Sequence, residues 1–572
     1  MSTVFPVISI VVPFAVRSRG ARSPRPSRAL HRGPERWSLD PSGICFDAAC
    51  RVFKPEGCDM TMHKIGGAWV AASAFLMTTG AAQADITPAE AWQGWKDYMT
   101  AFGYEITATE AMSGDTLTVT DVAMGFDVPE EDMTVSVTLG EMSFADNGDG
   151  SVAVSIPESL PMTIAITGPE ALEVGATFDT VDFVMTISGA PDASVSAYSA
   201  AAARIALTDV TVEGTSFSEA PGGAPFRDVS IEMADLAGET LTNLGDLRRV
   251  EQTITTGAWS YRMDVVDPES AQGSFLINGG SESLIMTGTS TLPEGIDMND
   301  MSGALRAGFT VDGGYEFGPG MMQFRFEEDG SVTEGRTQSA GGDLRIVMDE
   351  SQLLYGGGTN DLSFEIAGGD IPFPVAMTMA RYGFELMTPV MQSDAPQAFS
   401  LQVLLGDFTM SEFIWALFDP AAQLPRDPAT IEVDLSGMAR LFFDVLDPEQ
   451  MTAVDAGGEA PGELNALSLD ALTVSAAGVR LVGTGAVEID NTDIVTYDGM
   501  PKPVGSVSLN LTGANALLDS LVALGFLPED QAMGARMMMG LFAVAGEGED
   551  ELDSTIEFTQ DGQLLANGQR LR

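Results

Sequence analysis

The stretch MTVSVTL, Met133 to Leu139, decides the fold. Met133, Val135, Val137 and Leu139 alternate with Thr134, Ser136 and Thr138, and a period of two puts every apolar side chain on one face of a strand. The polar partners are hydroxyl residues, which suit a pleated surface facing water. The pattern returns at Val152, Val154 and Ile156, then at Met162, Ile164 and Ile166. Past residue 400 it continues with Ile431, Val433 and Leu435, with Leu472, Val474 and Ala476, and with Val507, Leu509 and Leu511. Between such runs stand Asn147-Gly148-Asp149-Gly150, Glu328-Asp329-Gly330 and Asp561-Gly562, the residue types that hairpin turns with positive φ require. The expected architecture is therefore mainly β: a long twisted antiparallel sheet built from hairpins. No strict repeat period is present. The glycine runs at 222–223, 341–342, 356–358 and 457–458 precede no helix with a phosphate-binding pattern and read as turns.

Helices punctuate this texture. Thr87-Pro88-Ala89-Glu90 combines an N-cap, a proline at the first helical position and a capping-box glutamate. Trp92, Trp95, Tyr98, Met99 and Phe102 follow at helical spacing, a face expected to dock on the sheet, and Gly103 ends the run. Ser411 to Phe418 is a second short helix, stopped by Asp419-Pro420. A helical hairpin is expected near the C-terminus, from Asn515 to Leu524, closed by Gly525, and again after Pro528 through Met533, Met537 and Leu541. Met537-Met538-Met539 is expected to fill a gap against the sheet, with an adaptable binding surface as the other use.

The segment MHKIGGAWVAASAFLMTTGAAQAD, Met62 to Asp85, has the three parts of a secretory leader: Lys64, the apolar run Ile65 to Met77, and Ala82-Gln83-Ala84 before a cut at Asp85. The apolar run is far short of the ~20 residues that cross a bilayer. Residues 62–84 are thus expected to be a signal peptide, and 1–61, rich in arginine, an upstream extension ahead of a start at Met60 or Met62. Residues 85–400 and 401–572 would be two continuous β-rich parts of one exported, periplasmic chain, with no membrane span after cleavage.

Residues 1–84 hold 10 of the 28 Lys+Arg and 5 of the 82 Asp+Glu, so residues 85–572 carry 18 minus 77, or -59. Such a charge opposes nucleic acid and anionic membrane surfaces, and nucleic acid is excluded as a partner. Cys45, Cys50, Cys58, His31 and His63 all precede the cut, so residues 85–572 contain neither cysteine nor histidine. Disulfides, the usual zinc, haem, iron-sulfur and copper ligands, and Cys-His or Ser-His-Asp catalysis fall away. Carboxylate chemistry remains, as does Ser-Lys chemistry through Lys96 or Lys502. The expectation is no catalytic residue, no cofactor and no metal site. The acidic turn Ala145 to Gly150 lacks the spacing of a calcium loop, since Gly148 stands where the third-position acid belongs.

The C-terminal third carries ALFDPAAQLPRDPATIEVDLSG, Ala416 to Gly437, then GMPKPVGSVSLNLTGANALLDSLVALGFL and a closing DGQLLANGQ. With Trp415, Asp419, Pro420, Pro425, Arg426, Asp427, Pro428 and Gly568, these stretches resemble an uncharacterised alphaproteobacterial exported family, domain of unknown function 2125, over nearly all of residues 85–572. The resemblance implies an exported β-rich architecture and assigns no activity or functional residue. A fold-level similarity to AsmA-like envelope proteins implies a sheet groove that handles lipid. Arg426 would either recognise an anionic headgroup or, the favoured reading, form a salt bridge to Asp427 or Asp419 that pins a proline-bounded loop.

These readings converge on a noncatalytic periplasmic envelope protein that binds or carries a lipid or other hydrophobic ligand along a sheet groove. A carboxylate-dependent hydrolase and an envelope assembly or scaffold protein are the alternatives. The expected partners are a lipid or an envelope protein, and the oligomeric state stays open.

Overall fold

The computed structural model describes residues 85–572, apart from residues 102, 129–132, 169–170, 220–223, 246, 268–272, 297–299, 370 and 458–459. The expected upstream extension and the expected signal peptide with Ala82 and Ala84 lie outside the described residues, and Asp85 is the first of them, exposed, one residue before Ile86 donates to the Gly150 carbonyl.

The chain opens with α1 (Pro88–Ala101), and its start is set by the capping box: Thr87 N donates to Glu90 Oε2 at 2.9 Å and Glu90 N to Thr87 Oγ1 at 3.3 Å. These two bonds satisfy N–H groups that a helix end leaves without partners. At the other end Gly103, at φ +85°, takes the left-handed conformation that stops the helix.

The strands then form a single antiparallel sheet of thirty. β1 (Glu105–Ser113) pairs with β2 (Thr116–Val128), and beside β2 lie β3 (Met133–Leu139) and β4 (Met142–Asp146), end to end. β5 (Val152–Ser155) and β6 (Ser159–Thr167) return along them, followed by β7 (Leu172–Val181) and β8 (Val184–Ala190). The long β9 (Ala193–Val212) pairs with both, turns through β10 (Thr215–Ser216), and lies against β11 (Phe226–Asn243).

The same device repeats across β12 (Leu247–Thr256) and β13 (Trp259–Val266), β14 (Ser274–Ser281) and β15 (Leu284–Pro293), β16 (Thr310–Phe317) and β17 (Gly320–Glu328), and β18 (Ser331–Ser339) and β19 (Gly341–Met348). Full-width strands resume at β20 (Leu353–Gly368), then β21 (Ile371–Thr388), β22 (Gln397–Met410), β23 (Ala429–Leu441), β24 (Gly462–Ala476), β25 (Val479–Asp490) and β26 (Lys502–Thr512), each paired with the next. β27 (Val544–Ala545), β28 (Glu551–Phe558), β29 (Leu564–Ala566) and β30 (Gln569–Arg570) complete it. Pairing runs through residue 400 without interruption, inside β22.

A line of backbone breaks crosses these strands. Asp121, Asp235, Asp361 and Asp407 sit mid-strand at positive φ, between +48° and +54°. An aspartate tolerates this region better than most side chains do. Each one resets the alternation, so that residues two before and one after share a face. Val119 and Val122 are accordingly both buried, as are Met233 and Leu236. The local sequences are VTDV, MADL, TNDL and LGDF. Such irregularities bend a strand and raise its twist, which lets a sheet this long curve.

The expected turns are present: Asp329 and Gly330 are both at positive φ between β17 and β18, and Gly148 and Gly150 between β4 and β5. The acids of the second turn serve the backbone, with Asp146 Oδ1 accepting from Gly148 N and Asp149 Oδ1 from Ser151 N and Oγ.

Among the described residues there are six α-helices. Beside α1 these are α2 (Met301–Arg306), α3 (Glu412–Phe418), α4 (Pro448–Gly457), α5 (Ala514–Ala523) and α6 (Glu529–Phe542). α3, α5 and α6 fall where the sequence places them. α2 and α4 were not expected: α2 has six residues, and α4, though ten long, offers only Met451 and Val454 as large apolar side chains to mark a helical face. Their caps are the legible signal: Asp300 accepts from Gly303 N, and Asp447 from Glu449 N and Gln450 N.

Candidate functional site

Residues paired across neighbouring strands point the same way, so one face can be followed through the registers. It begins under α1. Trp92 stacks on Trp95 with centroids 4.9 Å apart and lies against Phe144 of β4, while Asp97 O accepts from Arg248 of β12 at 2.6 Å. Trp92 Nε1 and Lys96 Nζ both donate to Glu110, and those bonds, Lys96's first, hold its carboxyl below the usual range. Here the face is a true core: Val119, Val122, Val135, Phe144, Val152 and Val154 are buried. Each such side chain contributes about 1.5–3 kcal/mol.

Beyond β12 the same face runs on without that helix. One row passes through Ile231, Tyr261, Gly279, Met322, Thr337, Phe364 and Met377. A second, on the other side of the breaks, passes through Met286, Tyr315, Leu344, Gly357, Phe384, Val403, Val433 and Leu472 to Gly483 and Leu509. Read through the registers from β13 to β26, the face carries no charged side chain except Glu328 at a hairpin tip. Most of its members are half-buried, Met263, Tyr315, Phe326, Ile346, Tyr355 and Tyr382 are exposed, and Val433, Leu472 and, in a cluster with α2, Leu292 are buried. The path β13-β14-β17-β18-β20-β21-β22-β23-β24-β25-β26 crosses eleven strands. At roughly 4.8 Å per spacing that is about 48 Å of apolar surface.

Aromatic side chains give this face its relief. The Phe324 ring lies across Gly335 of the next strand, where a methyl group would collide with it, and Phe399 covers Gly437 in the same way. Tyr355 packs against Phe384 at 5.2 Å. Burial pushes the Tyr315 hydroxyl above its ordinary pKa, with Tyr355 and Asp343 adding to the shift, and burial raises Tyr261 as well. Even the polar tips of the face sit in poorly hydrated surroundings.

The opposite face is polar. Arg204 pairs with Asp228, Arg262 with Asp264, Arg325 with Glu327 and Arg336 with Glu365, at 2.9 to 3.3 Å. A cleft of about 840 Å³ lies there, lined by Asp228, Glu232, Arg262, Asn278, Gln338 and Ser363 among others. Asp343, also on this face, has its carboxyl raised by burial and by Glu316, its cross-strand partner. Lys96 is held by Glu110, and Lys502 lies 3.3 Å from Asp493 and 3.9 Å from Asp490, so both lysines left for Ser-Lys chemistry are paired with carboxylates. Among the described residues no group of three or more acids is arranged to hold a metal ion.

The motif residues around Asp419 build a loop that caps α3. Asp419 is fully buried at the end of α3 and accepts from Gln423 N at 2.9 Å and Leu424 N at 2.8 Å. Pro420, Pro425, Asp427 and Pro428 are exposed, and Pro425 leans on Gly478 in the β24-β25 turn. Arg426 is pinned, but its carboxylate partner is Glu412 of α3 and not Asp427 or Asp419. From Asp419 it takes only the main-chain oxygen, at 3.2 Å, while its guanidinium lies 5.6 Å from the Trp415 ring. The first turn of α3 reaches Arg426 because the loop folds back, a proximity that sequence distance hides. Gly568, at φ +76° after Asn567 at +48°, makes the β29-β30 turn.

The Met537-Met538-Met539 expectation needs correction. Met539 turns inward, but Met537 and Met538 face solvent.

Residues 329–571 match the model of a family described as an uncharacterized protein conserved in bacteria, DUF2125. Over that segment the chain is similar to the family. The match starts in the β17-β18 turn and takes in α3, the Asp419–Arg426 cap, α5, α6 and the Gly568 turn. Eight of the eleven strands on that path, from β18 onward, therefore fall in the matched segment. No curated protein matches the chain.

Proposed function

We propose that this is a noncatalytic protein of the cell envelope, exported to the periplasm, whose sheet holds the acyl chains of a lipid or a similarly extended apolar ligand. One observation carries the reading: a face eleven strands wide, from β13 to β26, with no charged side chain but Glu328 and with half-exposed aromatic and aliphatic residues along it. A solvated apolar surface of that extent signifies binding. A long hydrocarbon satisfies it without a deep pocket or any hydrogen bond. The leader pattern of residues 62–84 supports export.

The test is organic extraction and mass spectrometry of protein purified from periplasm, with uptake of a fluorescent fatty acid by the delipidated chain. Recovery of lipid and saturable uptake are expected. An empty extract together with no uptake would remove the basis for the reading. A carboxylate-dependent hydrolase is the second reading, and the raised carboxyl of Asp343 opposite Glu316 favours it. Hydrolysis of a glycoside or ester substrate, abolished by Asp343→Asn with the fold intact, would establish it in place of the first.

A further inference from the structure

α6 is built with its apolar side outward. Its buried residue is the small Ala532, whereas Met533, Met537 and Leu541, spaced by four on one stripe, face solvent, with Met537 73 % exposed. Met538 and Phe526, in the turn before the helix, widen the patch.

This orientation is held at both ends. Arg536 donates to Asn515 Oδ1 at 3.0 Å, to the Asn515 carbonyl at 3.3 Å and to Asp519 at 2.6 Å, tying the middle of α6 to α5. The Phe542 carbonyl accepts from Ser554 Oγ at 2.7 Å and Asn567 Nδ2 at 3.0 Å, tying its end to β28 and the β29-β30 turn. Turning the methionines inward would break all of these bonds.

A fixed, solvent-facing stripe of unbranched apolar side chains is a surface that adapts to a partner. Charge decides which partner. From Ala514 to Asp550 the chain has Asp519, Glu529, Asp530, Glu547, Glu549 and Asp550 against Arg536 alone, and Asp519 occupies Arg536. A second copy would bring the same acids, and an anionic bilayer would repel them. We propose that α6 docks a basic amphipathic helix of another protein, its apolar side on Met533, Met537 and Leu541 and its lysines or arginines among the surrounding carboxylates. This surface is separate from the sheet face proposed to hold lipid.

The experiment uses the full chain and a fluorescent peptide of about 18 residues with leucine at helical spacing and lysine elsewhere, read by anisotropy. Met533→Ser with Met537→Ser leaves the charge unchanged, so any loss reports the apolar stripe. Binding at least about tenfold weaker in the variant is expected, with no binding of the same peptide carrying glutamate for lysine. Circular dichroism and retained lipid content verify the fold, and if the double variant is misfolded, Met537→Ser alone, at the most exposed position, takes its place. Equal affinity of variant and wild type would overturn the proposal. So would methionine-dependent self-association in sedimentation, or methionine-dependent flotation with phosphatidylcholine vesicles.

Discussion

Placing one aspartate at two points of the same sheet face separates the covered part from the open part. Val135 of β3 is 1 % exposed between Phe126 and Ile166, and Ile346 of β19 is 37 % exposed between Gly313 and Tyr355. Val135→Asp forfeits about 2 kcal/mol of apolar burial. It also strands a carboxylate away from water, at a further cost of about 3 kcal/mol or more. The sum, about 5 kcal/mol, is a large share of the 5–15 kcal/mol by which domains are typically stable. Ile346→Asp loses about two-thirds of a similar burial term, roughly 1.5 kcal/mol, and its carboxylate stays hydrated. Urea unfolding followed by the fluorescence of Trp92 and Trp95 should therefore show a gap of roughly 3 kcal/mol between the variants. Fatty-acid uptake should show the reverse order, with Ile346→Asp impaired although folded. Equal destabilisation by both substitutions would mean that the face at β19 is covered, and the open-face reading would fail with it.

Tyr98, half-buried in α1, has its hydroxyl pushed up to about 12, mainly by desolvation, with Arg248 pulling the other way. Below about pH 10 both folded and unfolded chains keep this proton, and stability does not depend on it. Between about pH 10 and 12 the unfolded chain releases it first, so the stabilisation is lost as pH rises through the folded value. Tyr98→Phe should remove this part of the alkaline loss, seen by comparing unfolding at about pH 9 and 11; an unchanged loss would show that Tyr98 is not its source. Arg426→Gln should lower stability by about 1–2 kcal/mol through the lost Glu412 pair and Trp415 contact, with lipid content intact. Lost lipid at full stability would instead make Arg426 a headgroup ligand. Asp419→Asn keeps one acceptor oxygen but sets an amide donor against one of the two backbone N–H groups and should cost about 2 kcal/mol, checked by the same unfolding assay; an unperturbed loop would count against its role as a cap.

The hairpins were legible because their rule is local. Alternation at Met133 to Leu139 and glycine at Gly330 or Gly562 need only neighbours along the chain to be read. The same holds for α1, whose capping box and aromatic stripe lie within a few turns. The aspartates at 121, 235, 361 and 407 were missed because each interrupts the period that reveals a strand. Their signal is a strand-type residue (Val, Met, Thr or Leu), any residue, Asp, then an apolar residue, which reads as a loop unless a strand is already assumed on both sides. Arg426 forms an ion pair, as one sequence reading expects, but its partner Glu412, fourteen positions earlier, could be found only after the loop was folded.

Sequence alone determined that residues 85–572 are β-rich and acidic and lack cysteine and histidine. Composition and a period of two do not depend on which strand meets which. Only the tertiary structure decided that one apolar face is a buried core near α1 and, from β13 onward, mostly half-buried with exposed side chains such as Tyr315 and Ile346. It also decided that the methionines of α6 point outward. Alternation says that a side chain leaves the sheet on the apolar side; whether anything covers it there depends on contacts between distant segments, which no local pattern contains.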